Sequence, residues 1–183
     1  MKQALLVIDV QRGLFDAAPR PFEADLVVGR INALTARARD AGVAVFLIQH
    51  ENADALRHGS ANWQLEQDLT VGADDTPVRK TTPDSFLGTG LQELLTQRGI
   101  EQLVICGYAC EFCVDTTVRR AAALGYPVIL AADAHTTHDK AHATGAQIRA
   151  HHNATLADIA SFGPVIEARP AAEILFGLNS APT

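Results

Sequence analysis

Short apolar runs rich in β-branched residues recur along this 183-residue chain, and most are followed by a stretch with helical spacing. "ALLVI" (4–8) stops at Asp9, and "VAVFLIQH" (43–50), "QLVICG" (102–107) and "PVILAAD" (127–133) repeat the theme. An apolar run without alternation suits a strand covered on both faces, as in a parallel sheet. "ADLVVGRINALTARARDAG" (24–42) carries apolar positions at helical spacing and closes on Gly42, a helix stop signal. Residues 88–99, 113–125 and 139–160 also read as helices, while "VRK" (78–80) and "PVIEA" (164–168) read as short strands. Strands alternating with helices predict an α/β domain around a parallel sheet.

No internal repeat, low-complexity tract or linker divides the chain, so a single domain is expected over residues 1–183. The polar stretch 51–77, punctuated by Gly and Asp, is long for a loop, and such loops are often functional. A formal net charge of −6 and the lack of a Lys/Arg block argue against nucleic acid as a partner. No apolar run is long enough for a bilayer, so no membrane association is expected. "QALLVIDV" follows the first two residues without a secretory cleavage pattern. Three cysteines cannot all pair within the chain, which fits a reducing, cytoplasmic setting. No Gly-x-Gly-x-x-Gly or Walker-type loop supports a nucleotide cofactor.

In open α/β sheets, ligands collect outside the carboxyl ends of the strands. Three chemically capable residues fall there: Asp9 after the first strand, Lys80 closing "VRK", and Cys113 just past "QLVICG" at a helix start. A thiolate is the nucleophilic form of cysteine, and helix amides and an ammonium both favour it. Asp9 could take the thiol proton and return it to a leaving amine. Taken singly, each has an ordinary reading: a turn aspartate, a solvated lysine, a small core cysteine. Read as the proton shuttle, Asp9 should accept Asn with little effect on folding, since Asn can still satisfy a strand end, whereas a merely structural Asp9 should lose stability and keep its turnover.

Cys110 and Cys113 also form a Cys-x-x-Cys pair. A redox pair would sit after an early strand, and a structural zinc site would need a second pair, so Cys110 reads better as a small residue packed in the turn. Cys106, inside an apolar strand, reads as core. His135, His138 and His142 cluster in "HTTHDKAH", and His50, Glu51 and His58 fall in or beside the polar loop. Hydrogen-bonding or solvated imidazoles are the favoured reading, with no metal and no cofactor expected.

Three segments resemble the isochorismatase-like cysteine hydrolases, a family that includes nicotinamidases, N-carbamoylsarcosine amidases and streptothricin hydrolase. They are "LLVIDVQRGLF" (5–15), "RKTTPDSFLGTGL" (79–91) and "VICGYACEFCVDTTVRRAAALGYPVILAADAHTT" (104–137). The resemblance implies a three-layer, single-domain sandwich with a six-stranded parallel sheet in Rossmann-like order. It implies Asp9, Lys80 and Cys113 as the catalytic triad. It further implies a cis peptide between Tyr108 and Ala109 that turns the Ala109 N–H towards an oxyanion beside that of Cys113. Nicotinamidases of the family hold a metal through an Asp-x-His pair after the second strand; here that place reads "QHENAD", without the Asp.

The expected activity is hydrolysis of a small-molecule amide through a thioester on Cys113. Phe15, Trp63, Phe86, Tyr108 and Phe112 are candidate walls of the substrate pocket, each also readable as core. A homodimer or homotetramer is expected from the family. Two alternatives stay open: vinyl-ether hydrolysis of the isochorismatase type, and a non-hydrolytic binding or redox module using Cys110 and Cys113.

Overall fold

A computed structural model describes residues 1–177; of the single domain expected over 1–183, residues 178–183 lie outside the described residues. Six parallel strands form one sheet: β1 (Gln3–Ile8), β2 (Ala44–His50), β3 (Thr76–Lys80), β4 (Gln102–Tyr108), β5 (Val128–Thr136) and β6 (Ile166–Arg169), in the order β3-β2-β1-β4-β5-β6. The order reverses at β1, so the carboxyl ends of β1 and β4 flank the crevice where such sheets bind ligands.

The apolar runs lack alternation because both faces are covered. Leu5, Val7, Val45, Leu47 and Val104 pack with Val27, Ile31 and Leu34 of α2 (Ala24–Asp40). Leu6, Ile8, Phe46, Ile48, Leu103 and Ile105 face the other way, against Leu91 and Leu95 of α3 (Leu91–Gln97), Val118 and Ala121 of α4 (Asp115–Ala123), and Leu156 of α5 (Gly145–Ala157). These two cores define the three layers. A short helix, α1 (Arg12–Phe15), follows β1 and buries Phe15.

The end of α2 shows how a helix is turned into the next strand. Gly42 takes a φ of 68°, its N–H donates to the Arg39 carbonyl, and the Val43 N–H donates to Ala38. That pair of bonds satisfies the last free carbonyls and aims the chain at β2. α3 and α4 stop in the same way at Gly99 and Gly125.

Two of the differences from the sequence reading have a clear local cause. The helix expected over 139–160 begins only at Gly145, because the Thr144 side chain accepts the Gln147 N–H and the Gln147 side chain accepts the Thr144 N–H. The helix expected from Cys113 is preceded by a π-turn over Cys110–Val114, and regular α-helix starts at Asp115. The segment between β2 and β3 holds no helix or strand. It folds back over the end of β1, where Leu65 bridges Gln11 and the Glu66 N–H donates to the Val10 carbonyl.

One buried imidazole makes the fold sensitive to acid. His135 is fully buried in β5, and burial pushes its pKa down to about 4. A group whose folded pKa is depressed contributes stability that is intact above its unfolded value and lost as pH falls through the folded one. The fold should therefore weaken between about pH 6.5 and 4, by up to about 3 kcal/mol for this residue. Melting temperatures across that window should fall more steeply for the wild type than for His135→Gln.

Candidate active site

Asp9, Lys80 and Cys113 come together although each leaves a different strand. Asp9 follows β1 with a φ of 52°, while its N–H still donates to the Ile48 carbonyl and continues the ladder with β2. Aspartate tolerates this left-handed conformation better than most residues. Lys80 ends β3, in register with His50 of β2, so its side chain must cross the end of β2 to reach β1. It does so fully buried. Its Nζ lies 2.7 Å from Asp9 Oδ2, 3.2 Å from Cys113 Sγ and 3.2 Å from the Thr82 carbonyl. Asp9 Oδ1 is buried with no hydrogen-bond partner among the described residues.

Gly107, near the end of β4, has a φ of 119°, and a Cβ there would stand 2.1 Å from the Ile8 carbonyl oxygen. The close approach of β4 to β1 that brings Cys113 towards Asp9 thus requires glycine. The Tyr108–Ala109 peptide is cis. The Ala109 carbonyl then accepts from the N–H groups of Phe112 and Val114, closing the turn that carries Cys113.

Burial pushes the Cys113 thiol up to about 12; the Asp9 charge adds to this, and Lys80 only partly offsets it. Desolvation and the neighbouring carboxylate thus oppose the pull of Lys80 towards the thiolate. Cys106 and Cys110 are fully buried, and burial raises their thiols further still. Only Cys113 keeps exposed area. Limited iodoacetamide treatment read by mass spectrometry should label Cys113 first, at a rate rising about tenfold per pH unit through mild alkali with no plateau. Earlier labelling of Cys110 would contradict this arrangement.

The aromatic residues divide by burial. Phe15 is core beneath α2 and meets Tyr108 edge-on at 5.8 Å, and Phe86 is core on the opposite face, stacked on Tyr126. Trp63 and Tyr108 are half-buried, the first against His58, the second with its hydroxyl 2.8 Å from His138 Nδ1. Phe112 is 53% exposed, with Lys140 over its ring.

Gln11 was not singled out in the sequence. It is fully buried, accepts the His50 N–H, and donates to the carbonyls of His50 and Trp63. It thereby ties the end of β2 and the long loop to β1. Its presence in "VIDVQ" offers no signal beyond a polar residue two places after Asp9.

The residues after β2 do not fit a metal ion. His50 Nδ1 faces Lys80 Nζ at 3.4 Å, with its pKa lowered by burial and then by Lys80. Both Glu51 oxygens are engaged by Arg79. Among the described residues, no group of three or more His, Cys, Asp or Glu is placed to hold a metal.

A cavity of about 940 Å³ lies at the opposite end of the sheet, among Gln3, Ala44, Asp75 and Glu101 at the amino ends of the strands. It contains no nucleophile paired with a base, and size alone does not make it the site. Two smaller cavities, about 440 and 420 Å³, adjoin the triad's neighbours, one at Glu51 and Thr81, the other at Glu111.

A three-layer sandwich around a six-stranded parallel sheet defines a fold class, and comparison with known proteins places the chain in one family of it. The isochorismatase domain matches residues 3–169, and the chain belongs to the isochorismatase family. A streptothricin hydrolase from Streptomyces noursei is 40% identical over 139 residues, covering 75% of this chain and 50% of the relative. The chain thus spans about half the length of that relative. A crystal structure of an isochorismatase family protein superposes with a TM-score of 0.84 at 34% identity, covering 92% of this chain and 98% of the other. N-carbamoylsarcosine amidase from Thermoplasma acidophilum shares the fold, with a TM-score of 0.77 at 21% identity over 95% of this chain and 99% of its own.

Proposed function

We propose that this chain is a cysteine-dependent hydrolase of a small-molecule amide. The observation that carries the reading is the buried contact of Lys80 with both Asp9 and Cys113, at 2.7 and 3.2 Å. A nucleophile, a carboxylate with an unpartnered oxygen and a fixed cation within hydrogen-bond reach are the parts that acyl transfer needs.

The sequence of steps follows from the resting charges. The Cys113 sulfur bonds to the substrate carbonyl carbon as its proton passes to Asp9. The backbone N–H groups of Ala109 and Cys113 hold the oxyanion. Asp9 returns the proton to the departing nitrogen as the C–N bond breaks, leaving a thioester and releasing ammonia or an amine. Water then attacks the thioester, giving a proton to Asp9, which passes it to the sulfur as the C–S bond breaks. Lys80 holds Asp9 in place and balances the charge that moves between carboxylate and sulfur. The similarity to a protein named streptothricin hydrolase supports an amide substrate.

An ammonia-release screen over small carboxamides, carbamoyl compounds and lactams, with a primary-amine readout beside it, tests the proposal. Turnover with at least one amide, absent in Cys113→Ala, is the expected result. Cleavage of a vinyl ether with no amide turned over would overturn it in favour of isochorismatase-type chemistry. A reversible Cys110–Cys113 disulfide in a protein that hydrolyses nothing would favour the redox module.

A further inference from the structure

The turn Cys110–Val114 that carries Cys113 is a π-turn, closed by the Val114 N–H donating to the Ala109 carbonyl and the Asp115 N–H donating to the Cys110 carbonyl. Such turns are rare and recur at functional sites, and this one is also held from outside. Its first residue, Cys110, is fully buried, and its sulfur lies 3.0 Å from His135 Nδ1 in β5. His135 Nε2 lies 2.8 Å from Asn153 Oδ1 on α5. Asn153 Nδ2 in turn donates to the Ala132 carbonyl at 2.9 Å.

The direction of these bonds follows from that last contact. A backbone carbonyl can only accept, so the Asn153 amide nitrogen faces Ala132 and its oxygen faces His135. His135 Nε2 therefore carries the hydrogen. Burial keeps the ring neutral, which leaves Nδ1 as a lone pair. The Cys110 thiol donates to it. The Cys110 sulfur, both His135 ring nitrogens and the Asn153 amide oxygen and nitrogen each have a partner, and the relay ties the π-turn to a strand and a helix. Cys110 itself has no exposed surface and no route to a substrate, so it does not take part in the chemistry.

We propose that Cys110, His135 and Asn153 are positioning residues, a hydrogen-bonded chain that fixes the π-turn and so aims the Cys113 sulfur, three residues on, at the reacting carbonyl. The proposal rests on the reading of Cys113 as the nucleophile. Removing the thiol of Cys110 frees the turn, and a nucleophile displaced by about 1 Å loses up to about a hundredfold in rate.

The test compares Cys110→Ala, which removes the donor, with Cys110→Ser, whose hydroxyl restores it, and with Asn153→Ala at the far end of the chain. Three quantities are measured on each: kcat and KM for an amide found active with the wild type, the iodoacetamide rate of Cys113, and the melting temperature. Cys110→Ala should lower kcat with KM unchanged and alter the Cys113 labelling rate, while Cys110→Ser stays close to wild type. Asn153→Ala should lower kcat in the same direction, and it decides the matter should Cys110→Ala not fold. Wild-type kcat and labelling rate in Cys110→Ala or Asn153→Ala, whatever the melting temperature, would overturn the proposal. Equal impairment of Cys110→Ala and Cys110→Ser would also overturn it, because packing rather than the hydrogen bond would then be responsible. Turnover retained by Cys113→Ala would instead defeat the nucleophile reading, and the labelling rates would still report whether the chain aims that sulfur.

Discussion

Cys113→Ala is expected to abolish amide turnover, with a loss in kcat on the order of a million-fold, as when a nucleophile is removed from a serine triad. The size of the effect comes from the route rather than from one contact. Without the sulfur no thioester forms, and Asp9 and Lys80 have no proton transfer to serve. Folding should change little, since Cys113 is only half-buried and alanine fits a helical turn. Rapid-quench mass spectrometry of the wild type should show an acyl adduct on the peptide containing Cys113, and none in the variant. Vinyl-ether hydrolysis would behave differently, because it does not depend on the cysteine. A variant that keeps amide turnover would therefore remove Cys113 as the nucleophile.

Much of this architecture is legible in the sequence because its local rules agree. The unalternating, β-branched runs around Leu6, Leu47 and Ile105 suit strands covered on both faces, and Gly42 and Gly125 stop helices where the chain must turn. Asp9, Lys80 and Cys113 stand out as reactive side chains placed where strands end. What the sequence leaves hidden are relations fixed by three-dimensional contact. Nothing in "VRK" says that Lys80 crosses β2 to become fully buried beside Asp9. Nothing in "CEFCV" separates a π-turn from the first turn of an α-helix, because the two differ in which carbonyls the N–H groups reach. His135 reads as one of several loop histidines until β5 is seen to run on through it. The raised Cys113 thiol is a matter of burial, which sequence spacing does not report.

The pairing of Lys80 with Asp9 changes what substitution there should do, and Lys80→Met shows it most clearly. Methionine keeps the length and unbranched shape of lysine but removes the charge. Asp9, 1% exposed at its side chain, would then sit as a buried carboxylate without its partner. Breaking a buried pair from one side typically costs about 3–5 kcal/mol. Lys80→Met should therefore melt well below the wild type and turn over no amide. Asp9→Asn breaks the pair from the other side. Its folding should also suffer, against the expectation that Asn would merely satisfy a strand end, and its kcat/KM per folded molecule should fall about a hundred- to ten-thousand-fold through loss of the base. The double variant Asp9→Asn/Lys80→Met removes both charges and should recover most of the lost stability, since a neutral pair of similar volume carries no unpaired ion. It should recover no activity. Urea unfolding of the four proteins gives the coupling directly. Additive losses would mean that the two groups do not depend on each other in the fold, and near-wild-type turnover in Lys80→Met would remove Lys80 from the mechanism.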